Sequence, residues 1–347
     1  MIKMIRRAVT ASILAAASMM PVSCVHQWPE EPEMRDAILT VTHLQLDWDY
    51  YHFVTNYRSR YDSGRPLQIR YIFRIFPEGE QSICVSQTTL YSDDLSRTDF
   101  TAQITVPVGR YELRVWSDLV DRDTKEPLYY DATDFKNITY ATPYRGGTAE
   151  KDAFRGVMTV DVPSTTKEDV HITGTIQLER PLTAFAFVST DLDEFVRSEI
   201  ARRGVDSQQP GDGAATDTPA APLPDFSGYK VTVSYPGFLP WIYHHFNDKP
   251  VDSNTGVKFD TDISIINDRE ALVGFDSFFI NGTESGVRAA LDFYDPTGKH
   301  IASVPGVDIP VKRGRCTIVR GEFLTSKASG STGINPDFDG EFNIPWN

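Results

Sequence analysis

The sequence predicts an all-β protein of antiparallel sandwiches with one short helix. Many short runs alternate apolar and polar residues with period two and are rich in β-branched and aromatic side chains. That is the pattern of half-buried strands. Turn residues punctuate these runs at short intervals, which favours a sandwich or barrel. At 347 residues, 40% hydrophobic and 12% aromatic, the chain is long enough for about two domains with real cores.

The first strand is expected at 37–47. Over 69–76, Ile69, Tyr71, Phe73 and Ile75 share one face, and Arg70, Ile72, Arg74 and Phe76 take the other. Pro77-Glu78-Gly79-Glu80 turns the chain and 82–90 returns. Residues 101–106 alternate again. Pro107-Val108-Gly109 then leads into 111–116, with Tyr111, Leu113 and Val115 inward. Residues 118–152 are polar and rich in Asp, Tyr and Thr, and read as a long surface excursion. Strands resume at 157–162 and 171–178.

Arg180-Pro181-Leu182 marks a boundary, dividing the mature chain into an N-terminal sandwich over 37–179 and a C-terminal one over 180–347. The apolar run 183–189 opens the second core. Thr190 is the expected N-cap of a helix with acids in its first turn. Leu192, Phe195, Val196, Glu199 and Ile200 line one face, and Arg202, Arg203 and Gly204 end it. Residues 206–225 are low in complexity and read as a mobile insertion. Strands follow at 229–235, 263–266, 271–280, 286–294, 300–304 and 316–320, with 307–310 as a short Pro-bounded edge segment. No convincing repeat is visible in the residues themselves.

The N-terminus has its own logic. Lys3, Arg6 and Arg7 form a basic head, residues 8–20 are uncharged and apolar, and Pro21-Val22-Ser23 precedes Cys24. This is the layout of a signal peptide over 1–23, too short to span a bilayer. Cleavage just before Cys24, with small Ser23 preceding it, is the lipoprotein pattern. Cys24 would then carry a diacylglyceryl thioether and an acylated amine. Pro21 departs from that pattern, which usually has Leu there. Each buried CH₂ of an acyl chain is worth about 0.8 kcal/mol, so several chains anchor permanently. An ordinary cut would leave Cys24 unmodified. Residues 24–36 form a Pro-broken acidic tether. Its acidic stretch resembles the surface-export signal of Bacteroidales lipoproteins, and equally suits a plain solvated spacer.

The net charge is −14, and removing the three basic residues of the head leaves 31 cations against 48 acids, or −17. Such a chain repels nucleic acid and anionic headgroups. Cys84 and Cys316 are the other cysteines, expected to be buried, reduced and in different sandwiches. No nucleophile elbow, phosphate loop, His-Glu-x-x-His helix or Cys-x-x-Cys pair occurs. His244-His245 is the one histidine cluster, but neighbours on a strand face opposite ways. Asp121-Arg122-Asp123-Thr124-Lys125 begins like a calcium loop and fails at Lys125. Asp47 and Asp49 flank Trp48 and suggest a carboxylate pair only weakly. Arg202-Arg203 and Arg320 are conceivable cleavage points for a trypsin-type protease. No cofactor, metal site or catalytic residue is expected, and the chain does not read as an enzyme.

Two blocks carry a resemblance. One is Gly109-Arg110-Tyr111-Glu112-Leu113-Arg114-Val115-Trp116-Ser117-Asp118 with Tyr129-Tyr130 and Asp152-Ala153-Phe154-Arg155-Gly156. The other is Ile309-Pro310-Val311-Lys312-Arg313-Gly314-Arg315-Cys316-Thr317-Ile318-Val319-Arg320-Gly321-Glu322-Phe323-Leu324-Thr325, closing with Gly333-Ile334-Asn335-Pro336-Asp337-Phe338-Asp339-Gly340-Glu341-Phe342. Arg180-Pro181-Leu182 leading to Thr190-Asp191-Leu192 links them. With Cys24, they resemble the FimB-type fimbrial anchor and accessory lipoproteins of Bacteroidales, within the fimbrillin superfamily. The resemblance implies two tandem transthyretin-like sandwiches, an outer-membrane location facing outward, and fimbrial subunits as partners. It implies contacts through donated strands, where backbone bonds give affinity and side chains give register. The competing reading is a surface glycan-binding lipoprotein that stacks sugars, or a host ligand, on Trp48, Tyr129, Tyr130, Trp241 or Tyr243.

Overall fold

A computed structural model describes residues 34–43, 64–95, 99–164, 172–202, 225–325 and 344–345. Residues 1–23, Cys24 and the tether before Met34, Asp47, Trp48, Asp49, Arg203, insertion residues 206–224 and the closing block 333–342 lie outside the described residues.

Period-two alternation yields strands over most of the expected runs, with unexpected ones at 238–244, 249–255 and 258–261, and fourteen of the strands form two sets of seven. The first set comprises β1 (Met34–His43), β2 (Leu67–Pro77), β3 (Ser86–Ser92), β4 (Asp99–Pro107), β5 (Gly109–Asp121), β8 (Ala153–Val162) and β9 (Ile172–Leu178). Its sheets run β4-β1-β9 and β3-β2-β5-β8. The second comprises β10 (Leu182–Ser189), β11 (Lys230–Ser234), β14 (Lys258–Thr261), β16 (Ala271–Phe279), β17 (Glu284–Tyr294), β18 (His300–Lys312) and β19 (Arg315–Gly321). Its sheets contain β16-β10-β19 and β14-β11-β17-β18, with β15 (Ser264–Ile265) beside β16 and β20 (Ile344–Pro345) beside β19.

The two sets are one topology used twice. β1 is antiparallel to β4 and parallel to β9; β10 is antiparallel to β16 and parallel to β19. Each opening strand therefore sits between the fourth and last strands of its set, while the other four strands make the facing sheet. The residues conceal this duplication because many different apolar side chains satisfy one pattern.

Each pair of sheets shares a core. In the first, Tyr71, Phe73, Ile75 and Val115 meet Ile104, Val106, Ile176 and Leu178. In the second, Phe185, Phe187 and Phe275 meet Val231, Leu291 and Phe293. β10 and β16 are buried along their whole lengths.

Residues 118–152 are not a surface excursion. They form β6 (Tyr130–Asp131), β7 (Ile138–Tyr140) and a 3₁₀ turn (Ala149–Lys151), and they bury Leu128, Tyr129, Tyr130, Phe135 and Tyr140. β7 pairs with β12 (Phe238–His244), which pairs with β13 (Lys249–Thr255), giving a sheet β13-β12-β7-β6 drawn from both halves. This sheet covers the second face of β2 and β5. Trp116 lies edge-on to Tyr130 at 5.6 Å and near Tyr243 and Phe279. β2 is consequently buried on both faces rather than half-buried. The price of covering that face is met by pairing its polar groups: Arg70 donates to both Asp118 oxygens at 2.8 and 2.6 Å, and Trp116 Nε1 donates to Asp118 at 3.1 Å.

The helix, α1 (Leu192–Arg202), lies where expected, with Leu192, Phe195 and Glu199 buried. Its first intrahelical bond runs from Phe195 N to Asp191 O, so the cap falls on Asp191, one residue beyond Thr190. Residues 307–310 are part of the long edge strand β18, not a separate segment.

Candidate functional site

A strand edge left without a neighbour offers a row of backbone donors and acceptors. Proteins usually guard such edges with charge or proline. β13 carries Lys249, Pro250 and Asp252; β14 carries Lys258 and Asp260; β18 carries Pro305, Asp308, Pro310 and Lys312. β9 is uncharged, but reciprocal backbone bonds at 2.8 Å between Arg155 and Glu179 tie its end to β8.

β3 is different. It ends its sheet among the described residues, and it belongs to a stretch, 81–92, without a single charge or proline. Apolar side chains cluster along it: Ile83 is 58% exposed, Val85 40%, Tyr91 38% and the nearby Leu95 40%. The equivalent strand of the second set is the charged β14. In a chain this acidic, the neutral edge is the surface where another strand meets least repulsion.

Beside this edge lies an open cleft of about 300 Å³, lined by Arg74, Phe76, Cys84, Phe135, Lys136 and Phe246 among others. Arg74 comes from β2, where it donates to Gln87 Oε1 at 2.8 Å and to Thr133 O at 2.5 Å, and its guanidinium stands 4.5 Å over the Phe135 ring. Burial draws that guanidinium below its usual range, against the pull of Cys84 and Asp134. Phe135 stacks on His245 at 4.7 Å, and Phe246 meets Phe76 edge-on at 4.8 Å. Lys136 Nζ donates to Ser82 at 3.2 Å, which pins the 134–136 turn to the segment before β3. The cleft can hold an apolar or acidic side chain between a cation and rings while a backbone pairs along β3.

Cys84 is exposed on this rim and donates to Ser86 O at 3.2 Å; the expectation that it is buried is wrong. It sits in the irregular segment that precedes β3, where no sheet covers it. Cys316 is buried as expected.

The remaining candidates fall into structural roles. His244 and His245 point apart: His244 is half-buried, while His245 is fully buried with Nε2 2.9 Å from Val115 O. Asp121 turns its carboxylate onto its own loop, accepting from Asp123 N and Thr124 N at 2.9 Å. Arg202 pairs with Glu199 at 2.8 Å, and Arg320 pairs with Glu270. Tyr129, Tyr130 and Tyr243 are core residues, and half-buried Trp241 packs against Tyr140 and Tyr144, so these rings form no platform for sugars. Sequence reasoning missed the edge and the cleft; the uncharged run 81–92 was the available signal.

Several solved structures are similar to this chain at low identity. A polysaccharide-binding protein assigned provisionally, from Bacteroides thetaiotaomicron, is 14% identical over 77% of this chain and 80% of its own, with a TM-score of 0.40. The fimbrial anchor protein Mfa2 from Porphyromonas gingivalis is 10% identical over 82% and 90%, at 0.34. A protein provisionally assigned to cell adhesion, from Bacteroides ovatus, is 9% identical over 91% and 99%, at 0.42. No curated protein matches the chain. The model of one family spans residues 38–346, and the chain belongs to that family, DUF6562, a family of unknown function.

Proposed function

We propose that this chain is a lipid-anchored outer-membrane protein of the FimB fimbrial type, without catalytic activity. Cys24 carries the lipid, 24–36 is the tether, and two sandwiches divided at Arg180-Pro181-Leu182 face outward. The first sandwich holds or regulates a pilus by pairing an extended strand of a fimbrial subunit along β3. One observation supports this above the others: β3 is an uncharged, proline-free edge with Ile83, Val85, Tyr91 and Leu95 exposed beside it. Backbone bonds along the edge would supply affinity, and the Arg74–Phe135 cleft would select a side chain.

The test is a pull-down of membrane-extracted protein after mild crosslinking, comparing wild type with Cys24→Ala and with Val85→Lys. Fimbrial subunits should co-purify with wild type and be lost with Val85→Lys. Cys24→Ala should release fimbriae into the medium. If no pilus subunit is captured and the protein is retained on a glycan array, the reading falls to the glycan-binding alternative.

A further inference from the structure

The most deeply buried charged side chains among the described residues join the molecule's two halves. Lys151, at the end of the 3₁₀ turn, is 1% exposed, and Asp276, in the middle of β16, is fully buried. Lys151 Nζ lies 2.9 Å from Asp276 Oδ1 across 125 residues of sequence. The amine also stands 4.6 Å over the Tyr140 ring and 4.0 Å over that of Tyr144. Ser277 N donates to Asp276 Oδ1 at 2.8 Å. The hydroxyls of Tyr144 and Tyr235 both donate to Oδ2 at 2.6 Å. Lys151 Nζ donates to the Tyr144 oxygen at 2.5 Å, so Tyr144 bridges the amine and the far carboxyl oxygen.

From this arrangement we infer that Lys151 and Asp276 condense into an intramolecular isopeptide bond that ties the first seven-strand set to the second. An amine held away from water gives up its proton more readily than it does in solution. Burial pulls the Lys151 ammonium below its usual range, with Asp276 opposing. A proton passes from Nζ through the Tyr144 oxygen to Asp276 Oδ2. The freed lone pair of Nζ attacks Asp276 Cγ. Charge building on Oδ1 meets the Ser277 N–H already aimed at it. A second proton leaves Nζ for Oδ2, the Cγ–Oδ2 bond breaks, and that oxygen departs as water. One C–N bond forms and one C–O bond breaks, with no change of oxidation state. Fixed proximity supplies the driving arrangement, since oriented intramolecular groups behave as if present at roughly 10⁵ M or more.

The test is tryptic mapping of the full-length folded protein by mass spectrometry. A crosslink blocks cleavage after Lys151 and leaves a branched peptide that joins residues 146–155 to residues 270–288, lighter than the two together by one water. Lys151→Arg should abolish the branched peptide and release 270–288 alone. Asp276→Asn should give the same branched product, now by loss of ammonia, and Tyr144→Phe should lower its yield in freshly made protein. Because wild type alone decides the question, a variant that fails to fold leaves the test intact. Complete recovery of linear 146–151 and 270–288 from folded wild type overturns the proposal.

Discussion

Asp152 and Arg180 meet as a two-pronged pair inside the protein: Arg180 Nε lies 2.9 Å from Oδ1 of Asp152 and Arg180 Nη2 lies 2.9 Å from Oδ2, with both side chains more than nine-tenths buried. The guanidinium also covers the Phe154 ring at 4.8 Å. Arg180 ends the first seven-strand set, so this pair fixes the point where the chain passes into the second.

Removing one partner strands the other charge in a low-dielectric site. Asp152→Ala should cost about 3–5 kcal/mol of unfolding free energy. The paired replacement Asp152→Leu with Arg180→Met should cost less than Asp152→Ala alone, because no charge is then left unpaired. Chemical denaturation of the two variants measures both. Equal losses would mean that packing over Phe154, not charge pairing, dominates.

His245 makes stability depend on acid. Burial, then the Arg155 charge, pulls its pKa from 6.5 down to about 3. As pH falls the unfolded chain takes the proton first, so His245 contributes stability above about 6.5 and loses it as pH drops from there toward about 3. His245→Gln should lose melting temperature less steeply than wild type between about pH 7 and about pH 4. Parallel slopes would assign the acid sensitivity to other groups.

The β3 edge should tolerate charge in the fold and not in the complex. Val85→Lys and Tyr91→Lys replace exposed side chains, so melting temperatures should stay close to wild type. A lysine on the edge should weaken strand capture ~tenfold or more, equal to ~1.4 kcal/mol. Titration against a captured fimbrial subunit reads the effect, and unchanged affinity would move the contact off β3.

Gly156 holds β8 against the β9 sheet by lacking a side chain. A Cβ there would lie 2.5 Å from Leu178 Cδ2, 2.7 Å from Ile176 Cγ2 and 3.1 Å from the Gln177 carbonyl oxygen. Gly156→Val should therefore destabilise by about 1–3 kcal/mol, read as a lower denaturation midpoint. A neutral result would show that β9 can retreat.

Strand positions were legible where the alternation is long and strongly apolar, because alternation is a local signal: Tyr71, Phe73 and Ile75 on β2 announce themselves, whereas β12, β13 and β14, interrupted by Pro, His, Asp and Asn, did not. Burial of the opposite face was not. Ile72 and Phe76 look solvent-facing until the core closes over them, with Phe246, more than a hundred residues on, set edge-on against Phe76. Likewise the Asp and Tyr content of 118–152 reads as surface, although Tyr130 donates to Lys151 O at 2.6 Å and Tyr140 accepts from Phe279 N at 2.8 Å. Each hydroxyl is satisfied by a distant partner that composition cannot reveal. The β3 edge escaped notice for the opposite reason: its residues are ordinary strand residues, and its meaning lies in having no strand paired on its outer side among the described residues.

The shared sheet β13-β12-β7-β6 also sets an order of events during synthesis. His245, just past β12, and Val115 on β5, which bond to each other, are 130 residues apart. A chain emerging from its N-terminus can complete the first seven strands while the Trp116 face still awaits its cover. Until the 238–255 hairpin follows, that face is a sticky intermediate surface, the kind chaperones bind and aggregates grow from. The late hairpin thus acts as a folding checkpoint: only a nascent chain that has been made well past its midpoint can hide its own first half.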